Sequence, residues 1–583
     1  MIRNKVVLLL SAFLVASCSQ TPTGSSTSSE ANSLESESAS SLSPSSSDSS
    51  QQPSSEAPSS GESPLSSESS SAEASSSESG EEDYVSEDFE FVKWGDGLIL
   101  KKARRVKEEM VVPSSFKGLP VREIYQNAFL EKTKLQKITL PEGITHIGKQ
   151  AFYGCTNLTE IALPSTLKEI GELSFALLPY LESLSLPEGL ERIGDLAFYG
   201  DESLQSAALP SSLKWMGSSV FLSCAKISYL EENGVKYLGN EENPHLLAWK
   251  LSLSDDPITS VSLHADTALI GASLFEGEES LTRVSLPENV VSIGDSAFRD
   301  APISSILIGG KVEEIGDYAF SGCSSLTSCT IQGNALKTIH REAFSGALNL
   351  PQLTLPDSVE SVSSYAFSEA GTESALQYNT DGKGGAYLGS QNNPYLVLCG
   401  LASSSSSLTI NPNTKVIAGA SLIGSSLSSL TIPDGVVSLG DSAFFGMGSL
   451  TEIVVPSSVS EMGESLFGSC ESLKKIELRN APEKIGTGFA SDCPKLESLN
   501  IPSSVLEIES HILNRSKALK SIVIPNSVLK IEAQAFMPDE ESNLQIFLEA
   551  PSRRPLFETG WYVAAEPHYQ GEWHYVDGVP TLL

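Results

Sequence analysis

The side chains able to do chemistry are thinly spread along this chain. Seven histidines in 583 residues, His146, His245, His264, His340, His511, His568 and His574, fall nowhere into a metal-ligand spacing such as H-E-x-x-H. His568 and His574, with Glu566 and Glu572 beside them, invite a metal reading near the C-terminus, but a solvated edge accounts for the same residues. No C-x-x-C pair, phosphate-cradling glycine loop or nucleophile elbow is present. Cys155, Cys224, Cys323 and Cys470 each follow a phenylalanine by three residues, and Cys493 by four. Ala301, Ala347, Met447 and Asp201 take that slot elsewhere, which reads as a small buried filler. Cys470 and Cys493 fall on neighbouring repeats, where a pairing is an open alternative. These residue types point to a protein that is not an enzyme, with no catalytic, metal or cofactor-binding residues.

The elements that would position any site come from one repeated phrase. One copy reads Leu158, Ile161, Leu163-Pro164, Leu167, Ile170-Gly171, Ser174-Phe175, and the next reads Leu181, Leu184, Leu186-Pro187, Leu190, Ile193-Gly194, Ala197-Phe198. A phenylalanine column runs from Phe129 through Phe152, Phe175 and Phe198 to Phe536, with Leu422 and Leu513 in two degenerate copies. The step is about 23 residues and there are about sixteen copies, a period that means a solenoid. Within a copy, Ile161-Ala162-Leu163 alternates as a half-buried strand does. Pro164 ends that strand because it has no N–H to donate. Gly171 is expected to permit a turn, and Phe175 to plug the core. A single coil buries too little apolar surface to fold alone, so the coils must stack.

The unit resembles the BspA-type leucine-rich repeat, L-x-x-I-x-L/I-P-x-x-V/L-x-x-I-G-x-x-A-F-x-G-C. Leu450, Ile453, Val455-Pro456, Val459, Gly463, Phe467 and Cys470 match it, as does the run Ile315-Gly316-Asp317-Tyr318-Ala319-Phe320-Ser321-Gly322-Cys323. The resemblance covers most of residues 90–583. It implies a β-rich solenoid, a right-handed leucine-rich-repeat superhelix, interrupted by two islands and closed by terminal caps. It also implies a surface protein associated with adhesion and protein binding.

At the N-terminus, Arg3 and Lys5 precede the apolar run Val6–Leu14 and then Val15-Ala16-Ser17-Cys18. This reads as a secretory signal, too short to span a membrane. Its end resembles the bacterial lipobox, which implies lipid attachment at Cys18. Residues 19–83 are nearly half serine, with about twelve acidic residues and no Lys or Arg. Such a composition predicts a disordered tether. The net charge of −35 excludes the basic footprint that nucleic acid needs.

The rhythm breaks twice at equivalent points. One break holds Tyr237-Leu238-Gly239-Asn240-Glu241-Glu242-Asn243-Pro244, the other Tyr387-Leu388-Gly389-Ser390-Gln391-Asn392-Asn393-Pro394. Each island is either a binding loop or a structural hairpin that shapes the solenoid. The resulting division is 1–18 signal peptide with lipobox, 19–83 linker, 84–112 N-terminal β cap and 113–228 repeats. It continues with 229–251 first island, 252–370 repeats, 371–407 second island, 408–543 repeats and 544–583 aromatic C-terminal cap. Candidate ligand contacts are Tyr237, Trp249, Tyr387, Tyr395, Trp561 and Trp573. Small residues between the strand core positions (Thr139, Ala162, Ser185, Ala208, Ser285, Thr330, Thr354, Thr409, Thr431) suit a broad shallow surface rather than a deep pocket.

The functional expectation is a monomeric, non-catalytic protein, lipid-anchored outside the bacterial cytoplasmic membrane and exposed at the cell surface. It would bind a protein on a host or another bacterium, with no nucleic acid and no cofactor. The alternatives are a structural or self-assembling envelope protein, and carbohydrate capture through Trp561 and Trp573.

Overall fold

In the computed structural model, the described residues are 84–583 apart from 253–255, 369–375, 403–404, 406, 481, 538–542, 553, 555, 559–560, 563–566 and 577–578. The signal segment, the serine tether and Cys18 lie outside them. The chain forms a β-solenoid of about 19 stacked turns with no helix among the described residues. This exceeds the expected sixteen because strands of the N-terminal hairpin and of the two islands take places in the stack as well.

Most coils contribute two short strands, and the paired strands of successive coils run parallel. The first line runs Leu119–Ile124, His146–Ile147, Glu169–Ile170, Arg192–Ile193, Trp215–Met216. The second runs Glu109–Val111, Lys137–Thr139, Glu160–Ala162, then Ser183–Ser185 with Ser206–Ala208. In the second line only the middle residue turns inward: Ile138, Ile161, Leu184 and Ala207 are buried between exposed neighbours. That is the period-two alternation of a half-buried strand.

The glycine of the Ile-Gly pair serves a close approach, and not the turn expected of it. Its N–H donates to the preceding coil, Gly171 to the carbonyl of Ile147 at 2.8 Å and Gly194 to that of Ile170 at 2.7 Å. A Cβ at Gly171 would sit 2.8 Å from the Lys149 nitrogen, and one at Gly194 would sit 2.6 Å from that of Glu172. Two residues on, the turn is made by non-glycine residues in the left-handed region: Gln150, Leu173, Leu196 and Ser219 have φ of 55°, 54°, 54° and 56°. At these coils the close approach leaves no room for a side chain, whereas the same slot holds His340, Ser363, Glu509 and Glu532 in other coils with the same backbone bond, and the turn tolerates several residue types.

The phenylalanines stack along the core. Phe129, Phe152, Phe175, Phe198 and Phe221 follow at centroid spacings of 4.8, 5.4, 5.7 and 5.5 Å, with the planes within 15° of parallel. A second run joins Phe275, Phe298, Phe320, Phe344 and Phe367.

The cysteine slot does more than fill space. The thiols of Cys155, Cys224 and Cys323 each donate at 3.0 Å to a phenylalanine carbonyl of the preceding coil, on Phe129, Phe198 and Phe298. Cys470 and Cys493 do the same toward Phe444 and Phe467. All seven cysteines among the described residues are free. Burial pushes the thiols of Cys155, Cys224 and Cys323 up to about 12, which keeps them protonated donors.

Each island enters the first line by the same device that opens the solenoid. At the start, Phe89–Trp94 pairs antiparallel with Gly97–Ala103, which then pairs parallel with Leu119–Ile124. In the first island, Leu230–Glu232, Val235–Leu238 and Leu247–Leu251 form an antiparallel meander whose last strand runs parallel to Leu269–Ile270. The second island repeats it with Asn379–Thr380, Gly385–Leu388 and Val397–Leu401, the last parallel to Val416–Ile417.

Asp201 occupies the cysteine slot with no exposure, and burial raises its carboxyl to about 9, against one hydrogen bond from the Leu178 N–H at 2.8 Å. A raised carboxyl pKa means that the folded state holds a proton the unfolded chain has released. Stability from this group is thus complete below the unfolded value near 4 and falls as pH rises toward 9. Asp201→Cys should therefore stabilise the fold by on the order of 2 kcal/mol at pH 8. The gain should shrink toward pH 4; thermal melts across that range measure it.

Candidate binding surface

The two strand lines differ in what their outward faces meet. Much of the first line faces other parts of the same solenoid, though His146, Glu169, Glu461 and Lys484 stay exposed. Arg192 sends Nη1 and Nη2 to the carboxylate of Glu314, at 2.5 and 3.2 Å, across more than one hundred residues of sequence. His340 Nε2 lies 3.4 Å from Glu314 and its ring 5.4 Å from that of Trp215, while the Arg192 guanidinium lies 5.5 Å from the same indole. Ser218 donates to Asp295 Oδ2 at 2.8 Å. Farther along, Lys530 Nζ lies 6.0 Å from the Tyr125 ring centroid and 3.4 and 3.2 Å from Glu507 and Glu532. Burial together with the charge of Glu507 raises Glu123 to about 7.

Between these contacts the first line borders an 870 Å³ cleft lined by Ser361, Ser438, Asp441, Glu461 and Lys484 among others. Its walls mix polar residues of opposite charge with apolar ones such as Leu439, Val459 and Met462.

The second line is open to solvent from Thr139 to Thr431, and beyond that its outward positions are half-buried at Val454, Glu477 and Val523 and buried at Phe547. Thr139, Ala162, Ser185, Ala208, Ser285, Thr330, Thr354, Thr409 and Thr431 are all exposed. Leu307, at the same register, is 51% exposed. Where the strands pair in parallel and in register, as Thr139 with Ala162, Ser185 with Ala208 and Leu307 with Thr330, the side chains stand one strand spacing apart, about 4.8 Å. Such a surface offers hydroxyls and methyls over a long, shallow area and no enclosed pocket.

The aromatic candidates divide by burial. Tyr237, Tyr387 and Trp561 are 2%, 0% and 0% exposed, so they cannot meet a ligand at the surface. Tyr237 and Tyr387 instead accept the N–H of His264 and of Asn411, at 3.2 and 3.0 Å, and tie each island to the coil behind it. Trp561 packs on Phe536 and Phe557 over the last coil. Trp573 donates its indole N–H to the Leu548 carbonyl at 3.1 Å and packs on Phe547, so the two tryptophans offer no shared platform for a sugar. Trp249 stands at right angles to Phe221, 6.4 Å away, against the last ring of the first phenylalanine run. Tyr395 makes an edge contact with Tyr387 at 5.4 Å and is partly exposed, as Trp249 is.

Two groupings were invisible to local spacing. One is the Arg192–Glu314–His340–Trp215 seam. The other is Glu232 with His245 and His264, whose ligand atoms lie within 4.8 Å of one another. The histidines stand nineteen positions apart in sequence, and nothing short of the coil-to-coil register would bring them together. The only available signal was their place in and just behind an island.

A family model describing the BspA-type leucine rich repeat region matches residues 122–241, 252–372 and 415–543, more than half of the chain. The chain belongs to the BspA-type leucine-rich repeat family. The BspA-type members are bacterial cell-surface proteins. A leucine-rich repeat protein of T. pallidum is 26% identical, aligned over 42% of this chain and 91% of its own, with a TM-score of 0.27. A leucine-rich cell surface protein of Faecalibacterium prausnitzii is 20% identical, over 84% of this chain and 99% of its own, with a TM-score of 0.23. One from Bacteroides ovatus has the same identity and coverages, with a TM-score of 0.22. No curated protein matches the chain. Among the described residues, no helix of this BspA-type protein is long and apolar enough to cross a membrane.

The Arg192–Glu314 contact is testable by pH. Burial would raise Glu314, but hydrogen bonds and charge from His340 and Arg192 outweigh it and hold the carboxyl at about 2. A depressed pKa contributes stability that is full above the unfolded value near 4.5 and is lost as pH falls toward 2. Glu314→Gln should cost about 1–2 kcal/mol at pH 7, since Arg192 is partly solvated. The difference from wild type should close on acidification, which chemical denaturation at pH 7 and pH 3 would show.

Proposed function

We propose that this protein is a lipid-anchored, non-catalytic bacterial surface protein that binds another protein through the exposed face of its second strand line. The observation that carries the reading is the row of small exposed residues from Thr139 to Thr431, repeated coil after coil on a surface that the solenoid itself leaves uncovered. The first line is a weaker candidate because its own segments occupy much of it. Rows of hydroxyls over a shallow area suit a macromolecule, whereas a small substrate needs a concave pocket with convergent groups.

Attachment through Cys18 rests on Arg3, Lys5, the apolar run and Val15-Ala16-Ser17-Cys18. The serine-rich stretch behind it would act as a spacer. A flexible chain of about 65 residues spans on the order of 45 Å root-mean-square, enough to hold a folded domain clear of a lipid surface. The acidic surface disfavours anionic partners and leaves a protein on a host matrix or another cell as the fitting ligand.

The test is a binding panel. Residues 84–583 should bind a matrix or cell-surface protein saturably. The triple variant Ser185→Arg, Thr330→Arg, Thr431→Arg should keep its melting temperature and lose at least about tenfold in affinity, about 1.4 kcal/mol. Binding to no member of the panel, with self-association in light scattering, would instead identify a self-assembling envelope protein.

A further inference from the structure

Glu232, His245 and His264 form a cluster that the rest of the solenoid does not require. We propose that it is a binding site for a divalent transition-metal ion, of the Zn²⁺ or Ni²⁺ type, at the junction between the first island and the coil behind it. His245 is 9% exposed, and its Nε2 lies 2.9 Å from Glu232 Oε2. The His245 and His264 rings stand face to face, with centroids 3.6 Å apart and planes within 8°. All three residues present a ligand atom within 4.8 Å of the others. Tetrahedral zinc, with bonds near 2.1 Å, needs neighbouring ligand atoms about 3.4 Å apart. The cluster therefore has only a short distance to close.

The surroundings hold the backbone of the two histidine segments in place. The Asn243 side chain accepts the His245 N–H at 3.1 Å and donates to the Asp266 carbonyl at 2.8 Å, so both histidine segments hang on one amide. The Asp266 N–H donates to His264 Nδ1 at 3.2 Å, which puts the ring proton on Nε2 in the ion-free state. An ion on Nε2 requires the other tautomer, with the proton on Nδ1 and the Asp266 N–H bond given up; Asp266 Oδ2, 3.7 Å from Nδ1, is then placed to accept from it, the carboxylate–imidazole support that metal-bound histidines commonly have. Parallel rings cannot both hold one ion in plane, so binding turns the less buried His264. Two imidazoles and a carboxylate suit borderline ions and not Ca²⁺ or Mg²⁺, which take oxygen ligands.

The second island shows that the histidines are not a structural necessity. There Tyr387 accepts the Asn411 N–H as Tyr237 accepts that of His264. Tyr395 makes the edge contact with Tyr387 that His245 makes with Tyr237, at 5.4 and 5.0 Å. Asn393 bridges to Tyr395 and Asn413 as Asn243 does to His245 and Asp266. Asp381 takes the place of Glu232 and accepts from the Asn411 amide at 3.2 Å. One scaffold thus carries Asp–Tyr–Asn at the second island and Glu–His–His at the first. The first set adds nitrogen ligands without being needed for the fold.

The experiment compares the full chain with the double variant His245→Tyr, His264→Asn, which copies the second island. After chelator treatment, Co²⁺ should bind the wild type at one equivalent with visible d–d absorption. Zn²⁺ should displace it, and Ca²⁺ at equal concentration should not. The double variant should melt within a few degrees of the chelated wild type and lose the absorption, with affinity down by at least about a hundredfold. The reciprocal variant, Tyr395→His with Asn411→His, should bind a second equivalent. Wild type without a stoichiometric site at micromolar Co²⁺, or a folded double variant that keeps one, would overturn the proposal.

Discussion

Everything in this molecule depends on how closely one coil can lie on the next. Parallel pairing one repeat apart sets the distance, and at coils such as those of Gly171 and Gly194 the glycine after the first-line strand fits it, because a Cβ there would meet the backbone of the neighbouring coil at 2.6–2.8 Å. With that spacing in place, the phenylalanines fall 4.8–5.7 Å apart and stack through the first run of coils. The cysteine thiols then reach the phenylalanine carbonyls of the coil before. The same spacing turns isolated serines and threonines of the second line into rows. A binding surface built this way is as repetitive as its scaffold, and its specificity has to come from the few positions that differ.

The islands interrupt the stack without ending it. An antiparallel meander needs no preceding coil to pair with, so it can start a new sheet, and its last strand presents a fresh edge for parallel pairing. The buried side chains accordingly group into three successive cores, each running from one such start toward the next. The contacts Ser218–Asp295 and Ser364–Asp441 bridge the coils on either side of the two islands, at the same sequence separation. The two joints are thus alike in backbone and in the bridging serine, though Ser218 donates to a carboxylate and Ser364 to a backbone carbonyl. What changed between the copies, His245 to Tyr395 and His264 to Asn411, lies at the ends of that joint.

Local pattern made much of this legible. Leu163-Pro164, Ile170-Gly171 and Phe175 announce the strand, its end, the close approach and the core plug within fifteen residues, so the coil could be read from one copy and the solenoid from their repetition. Gly171 was read for the wrong physical reason. A glycine in sequence suggests a permissive φ, and only the neighbouring coil shows that the constraint is space. The tyrosines and tryptophans misled in the same direction. An aromatic cluster reads equally as core or as platform, and the burial of Tyr237, Tyr387 and Trp561 follows from which coil lies on top of them.

The sequence by itself determined the repeat, its two breaks and the acidic charge, because each is written in the residues themselves, whatever they come to lie against. Tertiary structure decided which strand line faces its own solenoid and which stays open. It brought Arg192 to Glu314 and seated Glu232 beside two histidines. Those pairings depend on the angle accumulated over many coils and on the register across an island, and neither quantity is encoded in any single repeat.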